Sequence, residues 1–121
     1  MDIRIKTTNY TMMPEISNYI DKKLNDIEKL LDEREEEARC EVEVGRAAGH
    51  PERGNIWRAE INLKHKGQVF RAETTAETVN AAIDGVKDEI THQMRRDRKL
   101  HMRLVRRGGA LIKRMIRFGR E

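Results

Sequence analysis

The sequence predicts an α+β two-layer sandwich, ordered β-α-β-β-β-α, with two helices packed on one face of a four-stranded sheet. Three observations predict it: four segments alternate apolar and polar residues with a period of two, two longer ones repeat apolar residues every three to four, and breaker-rich stretches lie between. Residues 2–7 alternate, with Ile3 and Ile5 against Arg4 and Lys6, as a half-buried strand does. Pro14 then stands where the first turn of a helix tolerates proline. Ile16, Ile20, Leu24, Ile27, Leu30 and Leu31 follow as the stripe of an amphipathic helix expected over 14–34. The acidic run from Asp32 to Glu37 opposes the negative end of that helix, so its last turn is expected to fray.

Alternation returns at Cys40, Val42 and Val44 and stops in the loop from Gly45 to Gly54, which implies a hairpin. Trp57, Ala59, Ile61 and Leu63 alternate next. After Lys66-Gly67 a further strand is expected from Gln68 to about Thr74, with Phe70 and Ala72 on one face, making three consecutive antiparallel strands. From Ala76 the period becomes helical, with Val79, Ile83, Val86, Ile90 and Met94 as the stripe and Thr74 and Thr75 as expected caps. Two such stripes cover one sheet face and leave the other to water or a partner.

A chain of 121 residues supports one domain. Its single cysteine, Cys40, cannot form an internal disulfide and is expected to be a buried structural thiol, in keeping with the reducing cytoplasm. The N-terminus lacks the basic start and apolar run of a signal peptide, and no stretch approaches the ~20 apolar residues of a membrane span, so a soluble cytoplasmic protein is expected.

The net charge of +4 conceals an asymmetry. Residues 1–37 carry −4, residues 38–86 carry 0 and residues 87–121 carry +8, and between Arg95 and Arg120 eleven bases face one acid, Asp97. After Met94 the next stripe positions hold Asp97, Arg98 and His101, so the helix is expected to run off its sheet. There Arg95, Lys99, Arg103 and Arg106 or Arg107 recur every three to four residues, with Arg96 and Arg98 beside them, as a ridge suited to phosphates. Solvated helix faces usually mix signs, and like charges at this spacing repel, which favours a polyanionic partner. Beyond Gly108-Gly109, Leu111, Ile112, Met115 and Ile116 alternate with bases as a short amphipathic segment that could dock on the domain or a partner, order on RNA, or lie on an anionic membrane. The expected division is therefore 1–100 as the folded domain and 101–121 as a basic extension.

Nothing in the sequence points to catalysis, a cofactor or a metal. The histidines His50, His65, His92 and His101 are scattered, without CxxC or HExxH spacing. Glu41, Glu43, Glu60 and Glu73 share the open sheet face, where acids ordinarily serve solvation. Trp57 and Phe70 lie in strand alternation and are expected in the core, so base stacking of the kind used by single-strand readers is not expected of them.

Several motifs together resemble the short form of the ribosome hibernation-promoting factor family, also called ribosome-associated translation inhibitor A, over residues 1–100. They are Lys22-Lys23-Leu24-Asn25-Asp26-Ile27-Glu28-Lys29, Trp57-Arg58-Ala59-Glu60-Ile61, Gly67-Gln68-Val69-Phe70-Arg71-Ala72 and Ala81-Ala82-Ile83-Asp84. The resemblance implies a domain without catalytic activity that sits between head and body of the small ribosomal subunit. There its basic helices meet ribosomal RNA, and it occupies the messenger channel and transfer-RNA sites of idle ribosomes. It implies RNA contacts at Lys22, Lys23 and Lys29 in the first helix and at Gln93, Arg95, Arg96 and Lys99 in the second. His92 stands where the family commonly has arginine and Asn80 where it usually has tyrosine. The RNA-contacting set expected from both readings is Lys22, Lys23, Lys29, His92, Gln93, Arg95, Arg96, Arg98, Lys99, Arg103, Arg106 and Arg107. The expected partner is the small subunit, through its RNA, with no membrane, and with the tail reaching RNA or a ribosomal protein. The family's long-form dimerisation domain finds no counterpart before Glu121, so pairing of ribosomes by that route is not expected.

The alternative is a double-stranded-RNA-binding module acting on other RNA. That fold begins with its helix, however, and places its lysines at the start of its last helix, whereas residues 76–86 here contain no base.

Overall fold

In a computed structural model of the chain, which describes residues 1–31, 38–47, 56–65 and 67–106, the order is β1 (Asp2–Thr8), α1 (Pro14–Glu28), β2 (Arg39–Arg46), β3 (Trp57–His65), β4 (Gln68–Ala76) and α2 (Val79–Arg106). The four strands lie in sequence order in one sheet. β1 pairs parallel with β2, and β2–β3 and β3–β4 pair antiparallel. The chain thus opens with a strand and forms the expected two-layer sandwich. The parallel first pair follows from the intervening helix, since parallel neighbours need a crossover connection.

Cross-strand register puts Cys40, Val42 and Val44 beside Leu63, Ile61 and Ala59, and these beside Phe70, Ala72 and Thr74, on one face. Ile20, Leu24 and Ile27 of α1 and Ala82, Ile83, Val86, Ile90 and Met94 of α2 close over that face, all buried. β1 sits at the rim of this cover, which leaves Ile3 and Ile5 about two-fifths exposed (39% and 40%). Cys40 is fully buried, as expected, and desolvation, then the neighbouring Glu41 charge, pushes its thiol up to about 12, so it stays neutral and inert.

Two helix boundaries differ from expectation. α1 ends at Glu28 instead of 34: Leu30 and Leu31 turn inward, their N–H groups bonding the carbonyls of Ile27 and Glu28 three residues back, and both pack against the core. No base lies in the last turn of α1 to complement its negative end. The acidic run Asp32–Glu37, where fraying was expected, lies outside the described residues. At the other boundary β4 continues to Ala76, so Thr74 and Thr75 remain strand residues. The cap is Thr78, whose Oγ1 accepts from the Ala81 N–H at 3.0 Å. Pairing of β4 with Ala59, Arg58 and Trp57 holds residues 74–76 extended beyond the point where the apolar period changes.

Two glycines are required where they stand. Gly67 turns the β3–β4 hairpin at φ 77°, in the left-handed region. Gly45 of β2 lies so close to the end of β1 that a Cβ would fall 2.0 Å from the Thr8 carbonyl oxygen. Gly45→Ala should therefore push β1 off the sheet edge and cost roughly 1–3 kcal/mol by chemical denaturation; an unchanged midpoint would show that β1 can move aside freely.

Candidate nucleic-acid interface

The helices run side by side in the same direction, because their cross-contacts advance together. Tyr19 and Lys23 of α1 meet Asp84 of α2, Asp26 meets Lys87 at 3.6 Å, and the Leu30 carbonyl receives the Arg98 guanidinium at 3.3 Å. Both C-termini consequently point to one end of the domain, and α2 continues beyond α1 there. Met94 is the last buried side chain of α2 up to Leu100. From Arg95 onward the helix carries exposed Arg95, Arg96, Arg98, Lys99, Arg103 and Arg106 over about 18 Å of axis. The helix passes residue 100 without a break, the condition for the recurring bases to form a ridge. Arg107 and the tail from 108 to 121 lie outside the described residues.

Lys22, on the outer face of α1, and Lys29, the residue that caps its C-terminal end, are both exposed. Lys23 is engaged: its ammonium lies 3.1 Å from Asp84 and over the Tyr19 ring, 5.0 Å from the centroid. The hydrogen bond to Asp84 raises the Lys23 ammonium above its ordinary value, and the same carboxylate raises the Tyr19 hydroxyl that donates to it. Gln93 is also engaged, its amide donating to the Arg71 carbonyl at 2.9 Å and to Glu89 at 3.1 Å. Arg98 ties the end of α1, while His92, Arg95, Arg96 and Lys99 are exposed and form no hydrogen bond or ion pair with another described residue.

Desolvation alone would raise the Asp84 carboxyl, but hydrogen bonds from Tyr19 and Lys23 outweigh it and hold it below its ordinary value of 3.8. A carboxyl depressed in the folded state contributes stability above its unfolded value and loses it as pH falls through the folded one. Asp84→Asn should thus lower stability at neutral pH by about 0.2–1 kcal/mol, as for a part-exposed pair. The difference from the parent should shrink as pH falls below 3.8 and through the lower folded-state value; a gap that persists at full protonation would mean the loss is steric.

Strand alternation identified the acids of the open sheet face but not what holds them. Glu43 opposes Glu60, and Glu60 opposes Glu73, two like-charge pairs across neighbouring strands. Arg58 bridges all three: its Nε donates to Glu73 at 2.6 Å, one terminal nitrogen to Glu43 at 3.0 Å and the other to Glu60. The hydrogen bond from Arg58 keeps Glu73 well ionised, below its ordinary value. These carboxylates are locked into an ion-pair lattice and not arranged as an acid–base pair. No group of three or more histidine, cysteine or acidic side chains among the described residues converges to hold a metal. None of the described helices is long and apolar enough to cross a membrane.

Two further features escaped sequence reasoning. Asp97, the lone acid among the bases, accepts from Gln68 at 3.0 Å and so pins α2 to the start of β4. Arg39, Lys64 and Arg71 lie on the polar sheet face toward the same end as the ridge, Arg39 paired with Asp2 at 3.7 Å and Arg71 with Glu60 at 3.6 Å, and Lys64 exposed. Their only sequence signal was an outward place in strand alternation.

Residues 3–101 match the family model described as sigma 54 modulation protein / S30EA ribosomal protein. Among solved structures, the fold is similar to the Protein Y N-terminal domain of Thermus thermophilus, with 28% identity and a TM-score of 0.64, covering 79% of this chain and 98% of that one. It is also similar in fold to a ribosomal subunit interface protein of Coxiella burnetii, with 13% identity and a TM-score of 0.65, covering 82% of this chain and 99% of that one. No curated protein sequence matches the chain.

Proposed function

Because the chain belongs to the sigma 54 modulation protein / S30EA ribosomal protein family, a family of ribosome-associated modulation and hibernation proteins, we propose that it binds the small ribosomal subunit through ribosomal RNA and blocks the messenger and transfer-RNA sites. The observation that carries this reading is the second half of α2, which runs on past Met94 and presents Arg95, Arg96 and Lys99 exposed and unpaired with any other described residue. The mechanism is occupancy, not chemistry. Guanidinium and ammonium groups neutralise phosphates, displaced counterions supply most of the affinity, and the folded body fills the space that messenger and transfer RNA need. Its place of action is the cytoplasm, where an idle small subunit is kept from initiating.

Of the expected residues, Lys22, Lys29, Arg95, Arg96, Lys99, Arg103 and Arg106 are the ones whose charge is available, with Arg107 and the basic tail continuing the series. Lys23, Gln93 and Arg98 act as positioning residues that hold α1, β4 and α2 together beneath the ridge. Co-sedimentation with purified small subunits across a salt series tests the reading. With about six phosphate contacts, affinity should fall with a log–log slope of roughly −4 to −5. Binding that is flat in salt, or equal binding to any duplex RNA, would refute it.

A further inference from the structure

The start of β4 and the second half of α2 enclose a groove of about 540 Å³ whose lining includes Phe70, Arg96, Asp97, Lys99, Leu100 and Arg103. A ridge made only to neutralise phosphates has no use for apolar side chains, yet Leu100 stands 54% exposed among its bases, and Phe70, expected in the core and so not expected to stack on a base, is only half-buried and lines the same groove. The groove is also braced. Gln68 and Arg71, which flank Phe70 on either side, are tied to Asp97 and Gln93, one helical turn apart on α2, at 3.0 and 2.9 Å. Phe70 is thereby held beside residues 93–100, packed in part against the core and in part lining the groove with Arg96, Lys99 and Arg103.

We propose that this groove holds one unstacked nucleotide of single-stranded RNA, its base against Phe70 and Leu100 and its phosphate on Arg96, Lys99 and Arg103. The proposal rests on the RNA reading above and specifies a contact within it. The lining matches the ligand on both counts: a nucleobase offers a flat, weakly hydrated face to an aromatic or apolar surface, and the adjoining phosphate offers the anion that three nearby cations complement. Such stacking is tolerant of base identity, so it adds affinity without sequence preference. The groove is continuous with the exposed ridge of Arg95 and Arg106, so one strand can track from it along the helix.

The test is the salt dependence of binding to purified small subunits for the full chain and for Leu100→Ser, Phe70→Leu and Phe70→Trp. A stacked base is a non-ionic contact. Leu100→Ser and Phe70→Leu should therefore lose affinity by the same factor at every salt concentration, about five- to a hundredfold, with the slope unchanged, while Phe70→Trp retains binding. Leu100 is exposed, so its variant decides the matter if Phe70→Leu proves unstable in thermal unfolding. Full affinity in Leu100→Ser would overturn the proposal, as would a loss accompanied by a reduced salt slope, which would mark displaced arginines. If Arg95, Arg96 and Lys99 reversed to glutamate abolish binding while Leu100→Ser binds normally, the groove fails and the RNA reading stands; if neither change matters, both fail.

Discussion

Reversing Arg95, Arg96 and Lys99 together to glutamate should weaken small-subunit binding by about a hundredfold or more at moderate salt and reduce the salt slope by roughly 2–3. The size follows from position. All three side chains are exposed beyond Met94, and none is paired with another described residue, so each charge is available to a phosphate in the free protein. Each reversal removes one attraction and adds one repulsion, and about 1 kcal/mol per site over three sites already reaches the hundredfold level. The same exposure predicts little change in thermal stability, because no buried contact is lost and the crowding of like charges on α2 is relieved. Sedimentation and thermal unfolding of the triple variant read both halves of the statement. Undiminished binding would remove the ridge from the interface, and a collapse in stability would mean that these side chains support the fold.

Ile90→Ala should do the reverse. Ile90 is completely buried where α2 crosses the sheet, one turn before Met94, and truncation there leaves a cavity that close-packed neighbours fill only in part. The expected loss is about 2–5 kcal/mol, a large share of the roughly 5–15 kcal/mol that holds a domain of this kind together. The melting temperature should fall by on the order of 10 °C or more. At a temperature where the variant is still folded, its binding should keep the parental salt slope, since the ridge is untouched. A shift of only a degree or two would show that this part of the core collapses without cost.

The two variants separate what sequence patterns reveal from what they conceal. The stripe that ends at Met94 and the ridge that begins at Arg95 both follow from helical periodicity, and the structure places them on one continuous helix in which residues 95–100 are no longer buried. The alternation of β2 and β3 likewise named Cys40, Val42, Val44, Ala59, Ile61 and Leu63 as core. Boundaries were less legible. α1 stops six residues early because Leu30 and Leu31 gain more by folding onto the core than by extending a helix that has no base in its last turn, and β4 overruns its expected end because pairing with β3 keeps it extended. The duty of individual charges was not legible at all. Lys22 and Lys23 are neighbours in the same basic run, yet one is exposed and the other is held by Asp84, more than sixty residues away in the chain.

By itself, then, the sequence determined the order of elements, the face each buries and the end of the chain that carries positive charge, because each is a local periodicity set by backbone geometry and side-chain polarity. Only the tertiary structure decided which of those charges are free. That depends on parallel helices bringing Asp84 to Lys23 and on β4 bringing Gln68 to Asp97, and pairings between distant segments leave no trace in the spacing of either one. It also showed that the helix end is not a bare basic rod: beside its arginines lies a braced groove with Phe70 and Leu100 in its wall, assembled from two segments whose patterns name only a strand and a helix.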